Sequence, residues 1–391
     1  MGPLPRMALA AFAAVALACA EEARLPRATL DLKETLGGAD TVGFARAAGP
    51  RDFAFPADHG PHPAFRNEWW YVTGNLEDAE GRAVGFQLTF FRTSLSPRER
   101  EGTSAWATNQ AYMAHFAVTD EAGGRFHAFE RFARGAVGLA GARADPFRVW
   151  VGDWSLSSTG GGGAAPGADP TFPLRLSARD GDVALDLVLQ EGKPRVLQGE
   201  AGLSRKGPEA GNASYYYSHS RLPAAGTVVL GADTLRSTGS AWLDREWSTS
   251  ALSEGMVGWD WFALQLDDGW ELMVYALRRE DGTAHPLSEG VLVDPTGAPT
   301  RLAWGRDVAL TPTGRWASSL DGAVYPSGWR VRLPALGWTL DVTPVLPDQE
   351  LDLAFRYWEG AVRVEGEAAG RPLSGRGYVE LTGYAGTRPQ R

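Results

Sequence analysis

Cysteine is almost absent from this sequence of 391 residues, and basic side chains are in the minority. The single cysteine, Cys19, cannot form an internal disulfide, so the folded core must be stable without covalent cross-links. The 47 acidic side chains exceed the 38 basic ones, the net charge is −9, and no segment is rich in lysine or arginine. This balance excludes the electrostatic attraction on which binding to nucleic acid or to an anionic membrane surface depends.

Several motifs of well-known enzyme classes are also missing. The sequence contains no Gly-x-Ser-x-Gly, His-Glu-x-x-His or Cys-x-x-Cys motif and no dinucleotide-binding fingerprint. Their absence argues against serine esterases of the α/β type, zinc proteases of that motif and thiol redox enzymes.

The N-terminus is typical of an exported protein. Arg6 precedes an apolar run over residues 7–18 that is too short to span a bilayer and ends in small residues. Cys19 follows directly, at the position where a bacterial lipoprotein carries its acylated thiol. We expect a signal peptide over residues 1–19 and a tether over 20–51. Two alternatives stay open: a lipid anchor on Cys19, which would be the only membrane contact, and secretion into the periplasm or the medium.

The composition and periodicity of the remaining chain predict strands rather than helices. The sequence has 48 glycines, 25 prolines and 15 tryptophans, which suits many short strands joined by tight turns. Apolar side chains alternate in two segments that predict half-buried strands, at 84–90 and at 183–189. Asp268-Gly269 predicts a two-residue hairpin turn between strands over 259–266 and 270–277. Further strand-like runs lie at 69–76, 111–118, 215–218, 228–230, 329–333, 361–366 and 378–381. Strands at this density predict an all-β sandwich or barrel.

Dense mixtures of charged and aromatic residues stand out as candidate sites. The richest is 242–247, where Asp244 lies between tryptophans and beside Arg245. A carboxyl group among aromatic rings is poorly solvated, which raises its pKa and makes it a candidate general acid. The alternative is structural, because an Asp244–Arg245 or Arg66–Glu68 ion pair would keep the carboxylate ionised.

The histidines give a weaker signal for a metal site. His59 and His62 lie three residues apart and near Glu68, and they could join His115 around zinc or iron. Pro61 and the proline at position 63 impose an extended chain there, in which a histidine more often pins a strand. We favour the structural interpretation and expect no metal.

The charged aromatic segments resemble those of the carotenoid 1,2-hydratase and AttH-like family. The similarity covers about residues 53 to 384 and rests on Asn67-Glu68-Trp69-Trp70-Tyr71, Trp242-Leu243-Asp244-Arg245-Glu246-Trp247, Tyr357-Trp358-Glu359-Gly360 and Gly375-Arg376-Gly377-Tyr378. The resemblance implies two consecutive lipocalin-like, calycin-type domains, each an antiparallel β-barrel or sandwich, over residues 52–247 and 248–391. It also implies a tunnel at or near their junction.

For the hydratase members, the resemblance implies addition of water to a terminal isoprenoid double bond without a cofactor. Carried over, Asp244 takes the place of the aspartate that protonates the alkene, Trp242 stands two residues before it, and Tyr217 falls near an aromatic residue that faces the cation. Arg245 occupies the position where hydratases tend to have histidine. The residues expected to line the ligand site are Glu68, Trp69, Tyr71, Tyr216, Arg245, Trp259 and Trp261.

These observations predict an exported lipocalin-like protein that binds an apolar isoprenoid or lipid-like molecule. Binding of this ligand is the leading interpretation, and whether the protein is also an enzyme stays open. The two kinds of catalysis considered are hydratase-like acid catalysis on a C=C bond and isomerase-like or cyclase-like catalysis by shape alone, which needs no acid. The alternatives are a carrier without catalysis and a secreted hydrolase, although no nucleophile and base pair supports the hydrolase.

Overall fold

The computed structural model describes residues 41–98, 103–160, 169–249, 252–253 and 255–385. The predicted signal peptide, Cys19 and the first part of the predicted tether lie outside these residues. Within the described part, the regular structure consists of strands and two single-turn 3-10 helices, Ala57–His59 and Pro334–Leu336, which confirms the all-β prediction. No helix in this part has the length and apolar character needed to cross a bilayer.

The first sheet contains thirteen antiparallel strands that lie between residues 67 and 248. Its strands are β1 (Asn67–Asp78), β2 (Ala83–Ser94), β3 (Gln110–Asp120), β4 (Arg125–Arg134), β5 (Ala140–Ala144), β6 (Phe147–Val151), β7 (Trp154–Ser158), β8 (Leu174–Asp180), β9 (Val183–Leu189), β10 (Val196–Leu197), β11 (Leu203–Arg205), β12 (Ala213–Leu230) and β13 (Asp233–Ser248). The order across the sheet is β4-β3-β2-β1-β13-β12-β9-β8-β7-β6-β5, and β10 and β11 both pair with β12.

The second sheet contains ten strands and follows after residue 255. The strands of this half are β14 (Met256–Leu266), β15 (Glu271–Arg279), β16 (Glu289–Val293), β17 (Pro299–Ala303), β18 (Ala309–Pro312), β19 (Arg315–Ala317), β20 (Val324–Pro326), β21 (Trp329–Leu333), β22 (Trp338–Pro344), β23 (Glu350–Asp352), β24 (Arg356–Ala368) and β25 (Arg371–Leu381). The order is β17-β16-β15-β14-β25-β24-β22-β21-β18, with β23 beside β24, while β19 and β20 form a separate ribbon.

Each sheet curls around its own apolar core, and each sheet together with its core is called a domain, the first with β1–β13 and the second with β14–β25. In the first sheet, β6 from one edge contacts β2, β3 and β4 near the other edge, so the sheet closes nearly into a barrel. Its interior holds a single large apolar cluster, and a second cluster fills the other sheet. Nearly closed antiparallel sheets of this kind make the fold lipocalin-like.

The middle strands of both sheets are buried on both faces. Val84, Phe86, Leu88 and Phe90 of β2 point into the first core as predicted, but Gln87 and Thr89 between them are buried as well. The prediction of a half-buried strand is therefore wrong for β2, because the second sheet covers its outer face: β1 contacts β25, β2 contacts β24 and β12 contacts β14. For β9 the prediction is confirmed, since Val188 is exposed between buried neighbours.

Two local predictions need correction. The hairpin after β14 exists, but Leu266 and Trp270 are joined by a hydrogen bond of 2.8 Å, so the loop has three residues and not two. Gly269 there has a φ of +89°, the left-handed conformation that such a loop requires at its last position. The runs at 215–218 and 228–230, predicted as separate strands, belong to one strand, β12, with an irregularity between His219 and Leu222.

A buried ion cluster joins the first sheet to the entry segment, which is the stretch of chain that leads into β1. The Glu68 carboxylate contacts the guanidinium groups of Arg92 and Arg245, the latter at 2.8 Å, and all three side chains are almost fully buried. Arg245 also stacks 3.8 Å above the Trp70 ring and donates to the carbonyl of Trp69 at 3.0 Å. Burial alone would raise the pKa of Glu68, but the two arginines outweigh it and hold that pKa well below its ordinary value.

We predict that Glu68→Gln lowers the free energy of unfolding by about 3–5 kcal/mol, because it leaves two buried guanidinium groups without their anion. The effect should be seen as a lower urea midpoint at neutral pH and should shrink as the pH falls below 4.5, where the wild-type carboxylate begins to lose its own contribution. The control is Asp186→Ala, which removes an exposed pair with Arg175 and should cost less than about 1 kcal/mol. Equal midpoints for Glu68→Gln and the wild type would contradict the structural role.

Candidate functional site

The candidate site begins with the alternation of side chains along β13. Successive residues of a strand point to opposite faces, and both faces of β13 are buried over residues 241–248. The face toward the second domain carries Trp242, Asp244 and Glu246, and the face toward the first core carries Leu243, Arg245 and Trp247. Neighbouring residues therefore serve two separate environments.

Asp244 is held by three hydrogen bonds in the layer between the domains. The hydroxyl of Ser218 donates to Oδ1 at 2.5 Å, the Trp242 indole N–H donates to Oδ1 at 2.6 Å, and the Tyr216 hydroxyl lies 2.5 Å from Oδ2. Burial raises the pKa of Asp244 to about 7, although these hydrogen bonds act in the opposite direction. The carboxyl group is thus divided between its acid and carboxylate forms near neutral pH.

Aromatic rings from both domains surround this carboxyl group. Tyr71 and Trp261 meet edge to face at 5.1 Å between centroids, and Trp242 and Trp261 do so at 6.3 Å. The Trp261 indole N–H donates to the Tyr216 hydroxyl at 3.1 Å, which links β14 to the hydrogen bonds of Asp244. The apolar cluster at this junction consists of Tyr71, Tyr216, Trp242, Met256, Trp261, Ala263, Met273, Tyr275 and Leu277, with Trp69 and Trp259 packed against it.

Two further buried carboxyl groups face the same layer from the second domain. The Tyr71 hydroxyl donates to Glu359 Oε2 at 2.9 Å, and the Trp259 indole N–H donates to Glu380 Oε1 at 2.9 Å. Burial raises the pKa of Glu380 to about 8, and burial with the nearby Glu380 charge raises the pKa of Glu359 well above its ordinary value. The layer is a dry environment that favours the neutral form of its acids.

One cation lies at the edge of this layer. Lys206 Nζ contacts Glu246 Oε1 at 3.0 Å and lies 4.7 Å from the centroid of the Tyr275 ring. The same ammonium group is 5.5 Å from the centroid of the Tyr216 ring. Lys206 thus neutralises Glu246 and not Asp244, and no cation in the described part of the chain pairs with Asp244.

Three residues expected to line the site lie on the opposite face. Glu68 and Arg245 pair with each other inside the first domain, so the proposed Asp244–Arg245 ion pair is wrong. Tyr217 also points into the first domain, where its hydroxyl lies 2.6 Å from His59 Nδ1, and its neighbour Tyr216 bonds to Asp244 in its place. The reason is the two-residue period of a strand, which separates adjacent side chains.

The three histidines grouped in the sequence are separated in the structure. His62 Nδ1 lies 3.1 Å from Glu68, and His59 Nε2 lies 2.7 Å from Asp169. His115 is at the junction of the domains, with Nδ1 2.7 Å from the Tyr357 hydroxyl. The grouping of His59, His62 and His115 around one metal ion is therefore wrong.

Sequence reasoning missed Glu359, Glu380 and Ser218 as parts of this site. Each occurs at an alternate position of a strand-like run, a pattern typical of a solvent-facing residue on a half-buried strand. Only the burial of the second face, produced by contact between the domains, turns these positions inward. The signal available in the sequence was a glutamate between apolar or aromatic residues of a strand-like run: Glu380 lies between valine and leucine, and Glu359 follows a tryptophan.

The two curled sheets with a buried acidic and aromatic junction define a two-domain lipocalin-like protein. The model of the AttH-like family matches residues 46–384, and the chain belongs to this family, which confirms the resemblance found in the sequence. No curated protein sequence matches the chain. A crystal structure assigned as an AttH from Nitrosomonas europaea is 37% identical, with a TM-score of 0.74 over 88% of this chain and 100% of that chain.

Two more distant crystal structures share the fold. Kievitone hydratase from Nectria haematococca is 14% identical, with a TM-score of 0.65 over 87% of this chain and 95% of that chain. CghA, solved with Sch210972, is also 14% identical, with a TM-score of 0.55 over 90% of this chain and 97% of that chain. At these identities the comparison shows the common fold alone.

We predict that Asp244→Asn gains stability relative to the wild type as the pH rises from about 4 to about 7. In this interval the carboxyl group of the unfolded wild type is ionised while the buried one keeps its proton, so the wild type loses stability there and changes no further above about 7. Between about pH 4 and about pH 8, the free energy of unfolding of the variant should rise relative to the wild type by up to about 4 kcal/mol. Urea titrations at both pH values test this, and a pH-independent difference would contradict it.

We predict that Tyr216→Phe raises the pKa of Asp244 further, because it removes a hydrogen bond that stabilises the carboxylate. The measurement is the carboxyl band in infrared difference spectra recorded across a pH titration, with Asp244→Asn to identify the band. Tyr217→Phe is the matched control, since its ring lies on the other face of β12, and it should leave the band unchanged. An effect of the same size in both variants would argue against the assigned contact.

Proposed function

We propose that this chain is a hydratase-type enzyme in which Asp244 protonates a C=C bond of an apolar, isoprenoid-like ligand held between the two domains. The observation that carries the proposal is the Asp244 carboxyl group itself: it is buried, has a pKa near 7, lacks a paired cation and is surrounded by aromatic rings. A general acid works best when its pKa is close to the working pH. The hydratase among the structures of this fold supports the same class of reaction.

The reaction uses the Asp244 proton and one water molecule. The π electrons of the alkene form a C–H bond with this proton, which leaves a carbocation on the more substituted carbon and a carboxylate on Asp244. A water oxygen then bonds to the cation, and its excess proton returns to the carboxylate. The net change is the addition of one water molecule, and the enzyme regains its acid without a cofactor.

Tyr216 offers the path by which this proton reaches the ligand. With its proton on Oδ2, Asp244 donates to the Tyr216 oxygen at 2.5 Å, and that oxygen also accepts from Trp261 at 3.1 Å. The hydroxyl hydrogen of Tyr216 is then released for a third partner. Proton transfer through this phenol would leave Asp244 as the source of acidity and place Tyr216 next to the alkene.

The rings of the junction suit the cationic intermediate. Tyr71, Trp242 and Trp261 meet edge to face, and an aromatic face stabilises a nearby cation by about 2 kcal/mol in a dry site. Several such faces are needed to lower the barrier substantially. Glu359 has one buried oxygen, Oε1, without a hydrogen-bond partner among the described residues, and it can hold the attacking water.

A carrier is the second candidate, and the chemistry of the junction argues against it. An apolar ligand that is only transported needs apolar walls, and burying Asp244, Glu359 and Glu380 beside it would cost binding energy. A proton donor in that place is useful when the ligand reacts. We further propose that the enzyme is exported and meets its lipid-like ligand outside the cytoplasm, as the N-terminal sequence predicts.

We predict that Asp244→Asn lowers the rate at which an acyclic polyene with a terminal isoprenoid group is hydrated by at least about 100-fold, because proton transfer is lost. The variant should still bind the polyene, and this binding is measured by the quenching of tryptophan fluorescence. The wild-type rate should fall as the pH rises above about 7, where Asp244 loses its proton.

The matched control is Asp260→Asn. Asp260 is also a buried carboxyl group, with a pKa raised by burial to about 6, but it pairs with Arg278 away from the junction and should be dispensable for turnover. Retained hydration by Asp244→Asn would remove the acid mechanism. Polyene binding by the wild type without any turnover would favour the carrier.

A further inference from the structure

A second cluster of polar side chains lies on the other face of β12, inside the first domain. His219 is fully buried there, and neither of its ring nitrogens has a hydrogen-bond partner among the described residues. A buried polar group without a partner costs about 1–3 kcal/mol, so its retention calls for an explanation. Phe172 packs against the ring edge to face at 5.0 Å, and the rings of Tyr217 and His59 lie at 6.0 and 6.1 Å between centroids.

His59 and Asp169 complete the cluster. His59 Nε2 lies 2.7 Å from Asp169 Oδ2, and one ligand atom from each of His59, Asp169 and His219 lies within 4.8 Å of the others. Two atoms that each lie about 2.1 Å from the same ion are no more than about 4.2 Å from each other. A ring rotation that moves a histidine nitrogen by less than about 1 Å therefore brings all three ligand atoms within reach of one ion.

His59 is hydrogen-bonded through both ring nitrogens. Nδ1 lies 2.6 Å from the Tyr217 hydroxyl, and Nε2 lies 2.7 Å from Asp169 Oδ2, to which an Nε2–H donates when no ion is bound. With an ion on Nε2, the ring proton would lie on Nδ1, where the Tyr217 oxygen is placed to accept it. A histidine whose other nitrogen donates to a neighbouring oxygen is the usual arrangement of a metal ligand.

We propose that His59, Asp169 and His219 bind one divalent transition-metal ion of the zinc class, at a site separate from Asp244. Two imidazole nitrogens and one carboxylate oxygen form a ligand set that zinc accepts, with a fourth position left open.

The site adjoins a small cavity on the side of His59, which offers room for a water on the open position. The cavity is lined by His59, Thr171, Tyr217, Arg245 and apolar side chains, and the Thr171 hydroxyl has no partner among the described residues. A metal-bound water in this cavity would meet that hydroxyl. The site is thus formed between β12, the 3-10 turn that ends at His59 and the segment at 169–172.

Arg195 competes with the ion for the same carboxylate. Its guanidinium contacts Asp169 Oδ2, the oxygen that also faces His59, while Oδ1 accepts from the backbone N–H of Thr171 at 3.0 Å. Arg195 is partly exposed, so its side chain can leave without unfolding the domain. It supplies the positive charge that Asp169 requires when no ion is bound.

The test is a titration of the purified full chain, first treated with a chelator and then with Zn²⁺ by calorimetry and with Co²⁺ by visible absorption. We expect one equivalent to bind, with the d–d bands of a low-coordinate Co²⁺ site and a rise in the thermal midpoint. His219→Leu should weaken binding by at least about 100-fold and remove the midpoint rise. Without metal, this variant should be as stable as the wild type or more so, because the unpartnered imidazole is gone.

The matched control is His115→Leu, which removes another buried histidine with an unpartnered nitrogen, at the junction of the domains. It should bind Zn²⁺ as the wild type does. Arg195→Met should tighten binding several-fold by removing the competing cation. The proposal is overturned if the wild type binds neither ion, if His219→Leu binds as tightly as the wild type, or if Arg195→Met binds more weakly.

Discussion

The burial of both faces of the central strands is the constraint on which the site depends. In an ordinary curled sheet one face meets the core and the other meets water, and acids on the outer face are solvated. Here β1, β2, β12 and β13 meet β14, β24 and β25 across a shared layer, so the outer face of one sheet becomes an interior. Asp244, Glu359 and Glu380 are ordinary outward-facing positions that the contact between the two domains has removed from solvent.

The raised pKa of Asp244 follows from this removal from solvent and from the way β13 places neighbouring charged side chains on opposite faces. Its sequence neighbour Arg245 would lower the pKa of Asp244 if both side chains lay on one face. The strand sends the guanidinium to Glu68 in the first domain, where the ion cluster anchors the entry segment, and leaves the carboxyl group with neutral hydrogen-bond donors. One short segment thereby provides a stabilising ion pair and a poised acid.

The fold could be predicted from the sequence to a greater extent than the site. The strand-like runs located ten of the twenty-five strands, and the motifs around Trp69 and Asp244 identified the family, which the family comparison confirmed. The choice between Tyr216 and Tyr217 could not be made, because alternation separates the two but does not say which face is which when both are buried. His219 and Asp169 were missed for another reason: they are far apart in sequence and meet His59 only through the curl of the sheet.

Strand β13 also limits how this chain can vary. Its residues 242 to 247 alternate between two interiors of opposite character, an acidic aromatic junction and a barrel that holds an ion pair. The insertion or deletion of a single residue would exchange these assignments, moving a guanidinium group into the junction and a carboxyl group into the barrel. Insertions and deletions among related sequences should accordingly occur in solvent-exposed connections such as the loop at 267–269. The number of residues in this strand should stay constant.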